Sequence, residues 1–446
     1  MINFSDWVCS GAGYWLGGRM PATVGKICND TRNLSKNSCF IAIKTERADG
    51  HDFLQQAEQN GASCAIVDHA MGSANFPQFI CEDTLAGLSK IAAFTRKNFR
   101  GKVVGITGSM GKTSTKDILA LLLNVQNNKT FLSENGHLGI PLTLAKFTNG
   151  ESIGVLEVGI DGVGAIEGLL EISQPTDCII TGVSPIHLGN FGDENSIASE
   201  KVKMAEYVLD NSCKCILAKE LLRFECFKKI AKFCIIPAED PGAKVCFSVE
   251  QRPAGRWLNF QIEGQKCAFP IPHLMSGGMV KNLVLALAFA LLSGETLANI
   301  AARLQNWRPG AMRGEISTVN GRTFFSDCYN ANPAAFLDSL KNFDRLFPQG
   351  NRLFVVGSFG DLELGKCRAD ENIRLGQSIP VRSGDRVVIV GECGGEVQAG
   401  LLGTSPHAKG VHCLEKTEQA REFIQAHRGA VYLKGHRAYR LETLIC

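Results

Sequence analysis

Short apolar runs alternate with helix-like stretches along most of the chain. In the first hundred residues two such runs, 39–43 and 64–67, flank a helical stretch at 52–61, and this spacing predicts a small α/β unit. The character changes at Lys102. Residues 103–107 are apolar and β-branched, 108–111 form a glycine turn, and 112–125 carry Ile118, Leu119, Leu122 and Leu123 at helical spacing. Strand, glycine turn and helix in that order predict the first βα unit of a parallel sheet. Runs at 153–158, 178–183 and 214–217, with helical stretches between them, continue the rhythm of a doubly wound sheet. A helix-like run at 280–292 precedes a Trp307-Arg-Pro-Gly310 break, read as a linker and hinge. Beyond it, runs at 353–356, 386–390 and 430–433 predict a third α/β unit.

The length of 446 residues agrees with three units, at ~150 residues per domain. Boundaries are expected at 1–99, 100–310 and 311–446. Composition changes this picture little: 45% hydrophobic and 20% charged residues exclude a largely disordered chain. The 47 basic and 44 acidic residues leave a net charge of +3. No bulk attraction to nucleic acid or membrane follows, so affinity for an anion must come from a local site. The N-terminus lacks a basic stretch followed by an apolar run, and the longest apolar run, 283–292, falls short of the ~20 residues that span a bilayer. A soluble, cytoplasmic protein is expected. The 17 cysteines include no CxxC pair and read as small buried hydrophobes rather than zinc ligands or disulfides.

The sharpest chemical feature is Gly108-Ser109-Met110-Gly111-Lys112-Thr113. Glycines let the backbone bend tightly and aim N–H groups into one concavity, and the following helix adds the positive end of its dipole. Lys112 is placed to reach the β- and γ-phosphates of ATP, and the Thr113 hydroxyl to ligate Mg²⁺. The usual phosphate-loop pattern has a glycine where this chain has Ile106; Gly105 lies one residue further back. Glu157 ends an apolar run at the strand end where ligands gather, and is a candidate second Mg²⁺ ligand. His187, in Ser-Pro-Ile-His-Leu-Gly, reads as a ligand, a substrate contact or a structural histidine. Lys201, on a stretch expected to be helical, reads by itself as a solvated charge.

Together these residues resemble the ATP-dependent Mur ligases of peptidoglycan synthesis. Thr107-Gly-Ser-Met-Gly-Lys-Thr-Ser-Thr115 is similar to that family's shortened phosphate loop. Asp30-Thr-Arg32, Cys39-Phe-Ile-Ala-Ile43 and Asp49-Gly-His-Asp-Phe53 look like its UDP-sugar-binding domain. Asn135-Gly-His-Leu-Gly-Ile-Pro-Leu-Thr143, Glu157-Val-Gly159 and Ile186-His-Leu-Gly189 look like central-domain motifs. Asp327-Cys-Tyr-Asn-Ala-Asn-Pro333, Gly360-Asp-Leu-Glu-Leu-Gly365 and Lys434-Gly-His-Arg437 resemble the branch that adds D-alanyl-D-alanine.

The resemblance implies an α/β fold of three domains: an N-terminal UDP-substrate-binding domain, a central phosphate-loop parallel-sheet ATPase domain and a C-terminal Rossmann-like domain. It implies ATP and Mg²⁺ as cofactors, and UDP-N-acetylmuramoyl-tripeptide and D-alanyl-D-alanine as substrates of a monomeric ligase. Lys112, Glu157, His187 and Lys201 would be catalytic, with Lys201 carbamylated and ligating Mg²⁺ beside Thr113, Glu157 and His187. Gly108, Ser109, Met110, Gly111, Lys112, Thr113, Asn282, Arg313 and Asp327 would hold the nucleotide. Thr31, Arg32, Asn135, Tyr329, Asn330 and Asn332 would contact substrate.

Four residues, at three places, depart from the family pattern. Gly278-Met279-Val-Lys-Asn282 stands where the family has His-Asn-x-x-Asn, Ser326 replaces the first acid of an Asp-Asp pair, and Asn372 stands where a histidine is common. Losing one such polar contact costs about 0.5–1.5 kcal/mol, at most roughly tenfold in affinity. An active enzyme is therefore expected. The competing readings are a Mur ligase adding a different amino acid, a folylpolyglutamate synthetase, and a nucleotide-binding scaffold without ligase activity.

Overall fold

Residues 102–107 form a strand because Val103, Val104 and Ile106 are apolar, β-branched and buried on both faces by flanking helices. This strand, Lys102–Thr107, lies inside a four-stranded parallel sheet in the order Cys215–Leu217, Asp177–Ile180, Lys102–Thr107, Ile153–Glu157. The register pairs Ile106 with Glu157 and Thr107 with Ile180. The glycine turn, Glu157 and Thr181 therefore emerge together at the C-terminal edge, where open α/β sheets bind ligands. The computed structural model describes every residue except 1, 4, 22, 47, 72–75, 132–133, 187, 212, 361–367, 409 and 446.

The helix Gly277–Leu292 packs on the helix Lys112–Leu123 and is buried nearly all round from Leu283 to Ala290. It starts three residues before the expected 280, because the Ser276 hydroxyl accepts the Met279 N–H at 3.1 Å and caps it. A three-stranded antiparallel sheet, Val245–Arg252, Gly255–Ile262 and Gln265–Pro270, completes this part of the molecule and was not anticipated. Its middle strand turns Leu258, Phe260 and Ile262 inward on the period-two alternation of a half-buried strand.

Before the central sheet lies a five-stranded sheet in the order Gly13–Leu16, Gln78–Cys81, Ala62–Val67, Ser38–Ile41, Lys26–Cys28, with the first strand antiparallel to its neighbour. The helical stretch expected at 52–61 is shorter, a 3-10 turn Gly50–Phe53 leading into Leu54–Gln59. His51 is buried and fully engaged: Nδ1 lies 2.7 Å from Asp49 Oδ1, while Nε2 accepts the Asp68 N–H at 3.2 Å. It staples that turn to the end of the strand Ala62–Val67. After the central part comes a six-stranded sheet in the order Glu315–Val319, Arg322–Ser326, Ala430–Lys434, Arg352–Gly357, Arg386–Val390, Val411–Leu414, parallel except for the first hairpin.

The two seams between these units differ in kind. Leu142 in the helix Gly139–Leu144 and Ala145 just after it pack into the N-terminal core with Leu88 and Ile91, and the Arg96 guanidinium donates to Ser173 O at 2.9 Å. The C-terminal seam is made by polar bonds. Gly278 N–H donates to Asp338 Oδ1 at 2.9 Å, Asn342 Nδ2 to Leu274 O at 3.0 Å, and Arg345 Nη2 to His273 O at 2.6 Å. Burial and the neighbouring Arg256 push Arg345 down to about 10. Trp307, placed in the hinge by its sequence, is buried in the central core instead; the surface crossing begins at Arg308. Among the described residues every cysteine is a free thiol, and no helix is long and apolar enough to cross a membrane.

Candidate active site

Gly111 adopts φ 78°, the left-handed conformation that glycine tolerates without strain, and the helix Lys112–Leu123 starts immediately after it. A Cβ at Gly111 would fall 2.5 Å from Asn282 Oδ1, so the loop and Asn282 meet only because the side chain is absent. The neighbouring strand end clamps the loop. Ser109 N–H donates to Gly182 O at 2.9 Å and its hydroxyl to Ser184 O at 3.2 Å, while the Thr181 hydroxyl reaches Met110 O.

Glu157 stands beside this loop, 1% exposed. Its Oε1 accepts the Thr113 hydroxyl at 3.0 Å and Asn135 Nδ2 at 2.6 Å, and its own N–H donates to Thr130 Oγ1 at 3.0 Å. Its Oε2 is buried and receives no hydrogen bond. A buried carboxylate oxygen with open lone pairs, next to a threonine hydroxyl, suits a hard divalent cation, so the residues present fit Mg²⁺.

Cations outnumber the carboxylate here. Lys112 Nζ folds back on Gly108 O at 2.7 Å; burial lowers its pKa most, with Glu157 opposing and Arg313 adding to the fall. Arg313 reaches in from the C-terminal unit and donates from Nη2 to Thr113 Oγ1 at 3.2 Å. Lys201, on the helix Glu194–Asp210, is 2% exposed rather than solvated. Burial first, and the Lys112 charge second, hold its pKa well below the ordinary lysine value. Such an excess of positive charge in a poorly solvated pocket is suited to a polyphosphate.

Other expected residues sit apart from this cluster in role. Asn135 engages its Nδ2 with Glu157 Oε1. Asn332 caps the helix Pro333–Leu346 by accepting Ala335 N–H at 2.9 Å, and Asn330 Oδ1 accepts Ala331 N–H at 2.8 Å. Tyr329 lies under the guanidinium groups of Arg313 and Arg437, at 4.2 and 5.2 Å from its ring centre. Asp327 pairs with Lys434 at 2.9 Å. In the N-terminal unit, Thr31 donates to Gln56 Oε1 at 3.0 Å, and Arg32, 85% exposed, pairs with Asp30. His187 and most of the Gly360–Gly365 motif lie outside the described residues.

The departures have structural reasons. A Cβ at Gly278 would approach Asp338 Oδ2 to 2.7 Å, so a larger residue here would require the Asp338 carboxylate to swing away from the bond it accepts from Gly278 N–H. Asn372 is buried and fastens a loop, donating to Phe359 O at 3.0 Å and accepting Phe359 N–H at 2.8 Å. Ser326 is buried against Cys328, its Oγ 3.5 Å from the thiol sulfur. Sequence reasoning missed Lys116, Thr130, Thr181 and Asp338. Lys116 alone carried a signal, being four residues after Lys112 and hence on the same helix face.

The Mur ligase middle domain matches residues 106–290, and the Mur ligase family catalytic domain matches residues 23–96. UDP-N-acetylmuramoyl-tripeptide–D-alanyl-D-alanine ligase of Synechocystis sp. is 36% identical over 343 residues, covering 76% of this chain and 73% of that protein. The enzyme of the same name from Bacillus subtilis is 27% identical over 427 residues, covering 94% and 92%. A crystal structure of MurF from Acinetobacter baumannii superposes with a TM-score of 0.77 at 26% identity, covering 99% of this chain and 97% of that one. With its phosphate loop, buried glutamate and three successive α/β units, the chain belongs to the Mur ligase family.

Proposed function

We propose that this protein joins D-alanyl-D-alanine to the terminal carboxylate of UDP-N-acetylmuramoyl-tripeptide, using ATP and passing through an acyl phosphate. One observation carries the reading: the phosphate loop, Glu157 and Lys201 gather at one sheet edge, and Arg313 reaches them from the C-terminal unit. Residues 1–99 would hold the UDP moiety through Thr31 and Arg32, 100–310 the ATP, and 311–446 the dipeptide. Tyr329, Asn330 and Asn332 line the substrate side, and Asn282 and Asp327 the nucleoside.

A carboxylate and an amine do not condense usefully in water, so the carboxylate first needs a leaving group. Its oxygen attacks the γ-phosphorus of ATP and ADP departs. Lys112 and Arg313 stabilise charge on the transferring phosphoryl group. The dipeptide amine then attacks the acyl carbon and phosphate leaves with the bonding electrons. Thr113, Glu157, His187 and Lys201 would hold Mg²⁺, which when bound would supply charge neutralisation between the two anions. Burial and the Lys112 charge favour the neutral amine of Lys201 over its ammonium. The neutral amine is the form that can add to CO₂ and lose a proton, giving an oxygen donor where a cation would repel Mg²⁺. Enclosure between units excludes the water that would hydrolyse the acyl phosphate. The reading places a monomer in the cytoplasm.

Phosphate release measured across paired acceptors and amines tests this. Release should require the UDP-linked tripeptide and D-alanyl-D-alanine together. Release with another amino acid would favour a different Mur specificity. Hydrolysis indifferent to both would favour the scaffold.

A further inference from the structure

Lys116 is a fully buried lysine that the chemistry above does not use. Its side chain is 1% exposed, and its ammonium lies 3.9 Å from Glu157 Oε2 and 3.2 Å from Asp117 Oδ1. Asp117 is by contrast 42% exposed. Glu157 Oε2 is the buried oxygen that accepts no hydrogen bond. At 3.9 Å the ammonium compensates the carboxylate's charge without occupying its lone pairs.

We propose that Lys116 is an internal counter-ion, a positioning residue that balances Glu157 while no divalent cation is bound and yields to the cation when one arrives. This rests on Glu157 being a divalent-cation ligand. A carboxylate at 1% exposure needs a positive partner in either state, since an unpaired buried charge is costly. The arriving cation supplies that charge, and Lys116 and the cation then repel each other across the same carboxylate. Asp117, at the rim of the same helix, already shares the ammonium at 3.2 Å and keeps hold of it when the cation displaces it from Glu157. The site is thereby kept preformed when empty, and its affinity for the cation is held down.

This arrangement has a sign that ordinary structural damage lacks. Removing Lys116 should tighten cation binding, whereas a disturbed site would weaken it. Mn²⁺ binding to the whole protein without nucleotide, followed by electron paramagnetic resonance, gives the readout. Lys116→Met should bind Mn²⁺ about tenfold more tightly than wild type, the size expected of one unit charge removed at short range and partly screened. Lys116→Arg should stay near wild type. Asp117→Asn, a surface change that leaves the core intact, should weaken Mn²⁺ binding by leaving the ammonium on Glu157, and this effect should shrink in the Lys116→Met background. In EDTA, Lys116→Met should melt earlier than wild type and regain more of the loss on adding Mg²⁺. Glu157→Gln separates the two layers: Mn²⁺ affinity unchanged in that variant overturns the ligand reading itself. Weakened binding in Glu157→Gln, with Lys116→Met unchanged or weakened and Asp117→Asn unaltered, overturns the counter-ion alone.

Discussion

Burial dominates at both Lys201 and Lys112, but the next influence differs in sign: the Lys112 charge lowers Lys201 further, whereas the Glu157 carboxylate pulls Lys112 back up. Lys201→Ala should abolish phosphate release while ADP affinity by calorimetry stays within about twofold, and short carboxylic acids should partly restore turnover by replacing the lost oxygen donor. Lys112→Ala should damage both, with turnover falling by ~10²-fold or more, because that ammonium serves the bound phosphates and the transferring one alike. Full activity in Lys201→Ala would remove it from the chemistry. The difference in legibility is physical. Gly111-Lys112-Thr113 could be read directly, since a glycine forced to positive φ before a helix leaves its mark in local sequence. Lys201 could not, because what depresses its pKa is packing contributed by other segments; by spacing alone it was a surface charge. Only resemblance singled it out.

Elements tell a similar story. Most parallel strands were found to within three residues because their apolar runs are continuous, but the parallel strands Lys26–Cys28, Gln78–Cys81 and Val411–Leu414 and the antiparallel hairpins at 245–270 and 315–326 went unread. Their alternation is interrupted by charged and glycine residues, and Glu263-Gly264 at positive φ was a turn signal in plain view. The helix Arg421–Ala426 illustrates how an element's end can set a pH response. His427 follows it, is 3% exposed, and its Nε2 has no hydrogen bond in the fold. Burial chiefly, with Arg386 and Arg322 adding to it, lowers its pKa from the usual 6.5, against pulls from the Ala430 backbone and Asp385. The unfolded chain therefore binds a proton before the folded one does. The histidine's contribution is intact above about pH 6.5 and is lost as pH falls toward the lowered folded value. Thermal midpoints should decline across that window, and His427→Gln should flatten the decline. An unchanged slope in the variant would assign the acid sensitivity elsewhere.

For the whole molecule, the contrast between the two seams decides which part moves. The N-terminal and central units share apolar side chains, a contact that is costly to open in water, whereas the C-terminal unit is held by exchangeable hydrogen bonds at Asp338, Asn342 and Arg345. The C-terminal unit should swing about the crossing that begins at Arg308 while the other two travel together. Solution scattering should show a smaller radius of gyration with a non-hydrolysable ATP analogue plus the UDP-linked tripeptide than with neither. No compaction would contradict closure. The three-part organisation was legible because each unit repeats the βα rhythm, but the nature of the seams was not, since it depends on side chains brought together across long stretches of chain. Gly278 gives this arrangement its vulnerable point. Its N–H already grips the carboxylate opposite, so even a methyl group there must push that carboxylate's free end aside. An alanine at that position should slacken this latch, so that nucleotide still loads while shutting upon it slows, and the first half of the cycle becomes easier to observe.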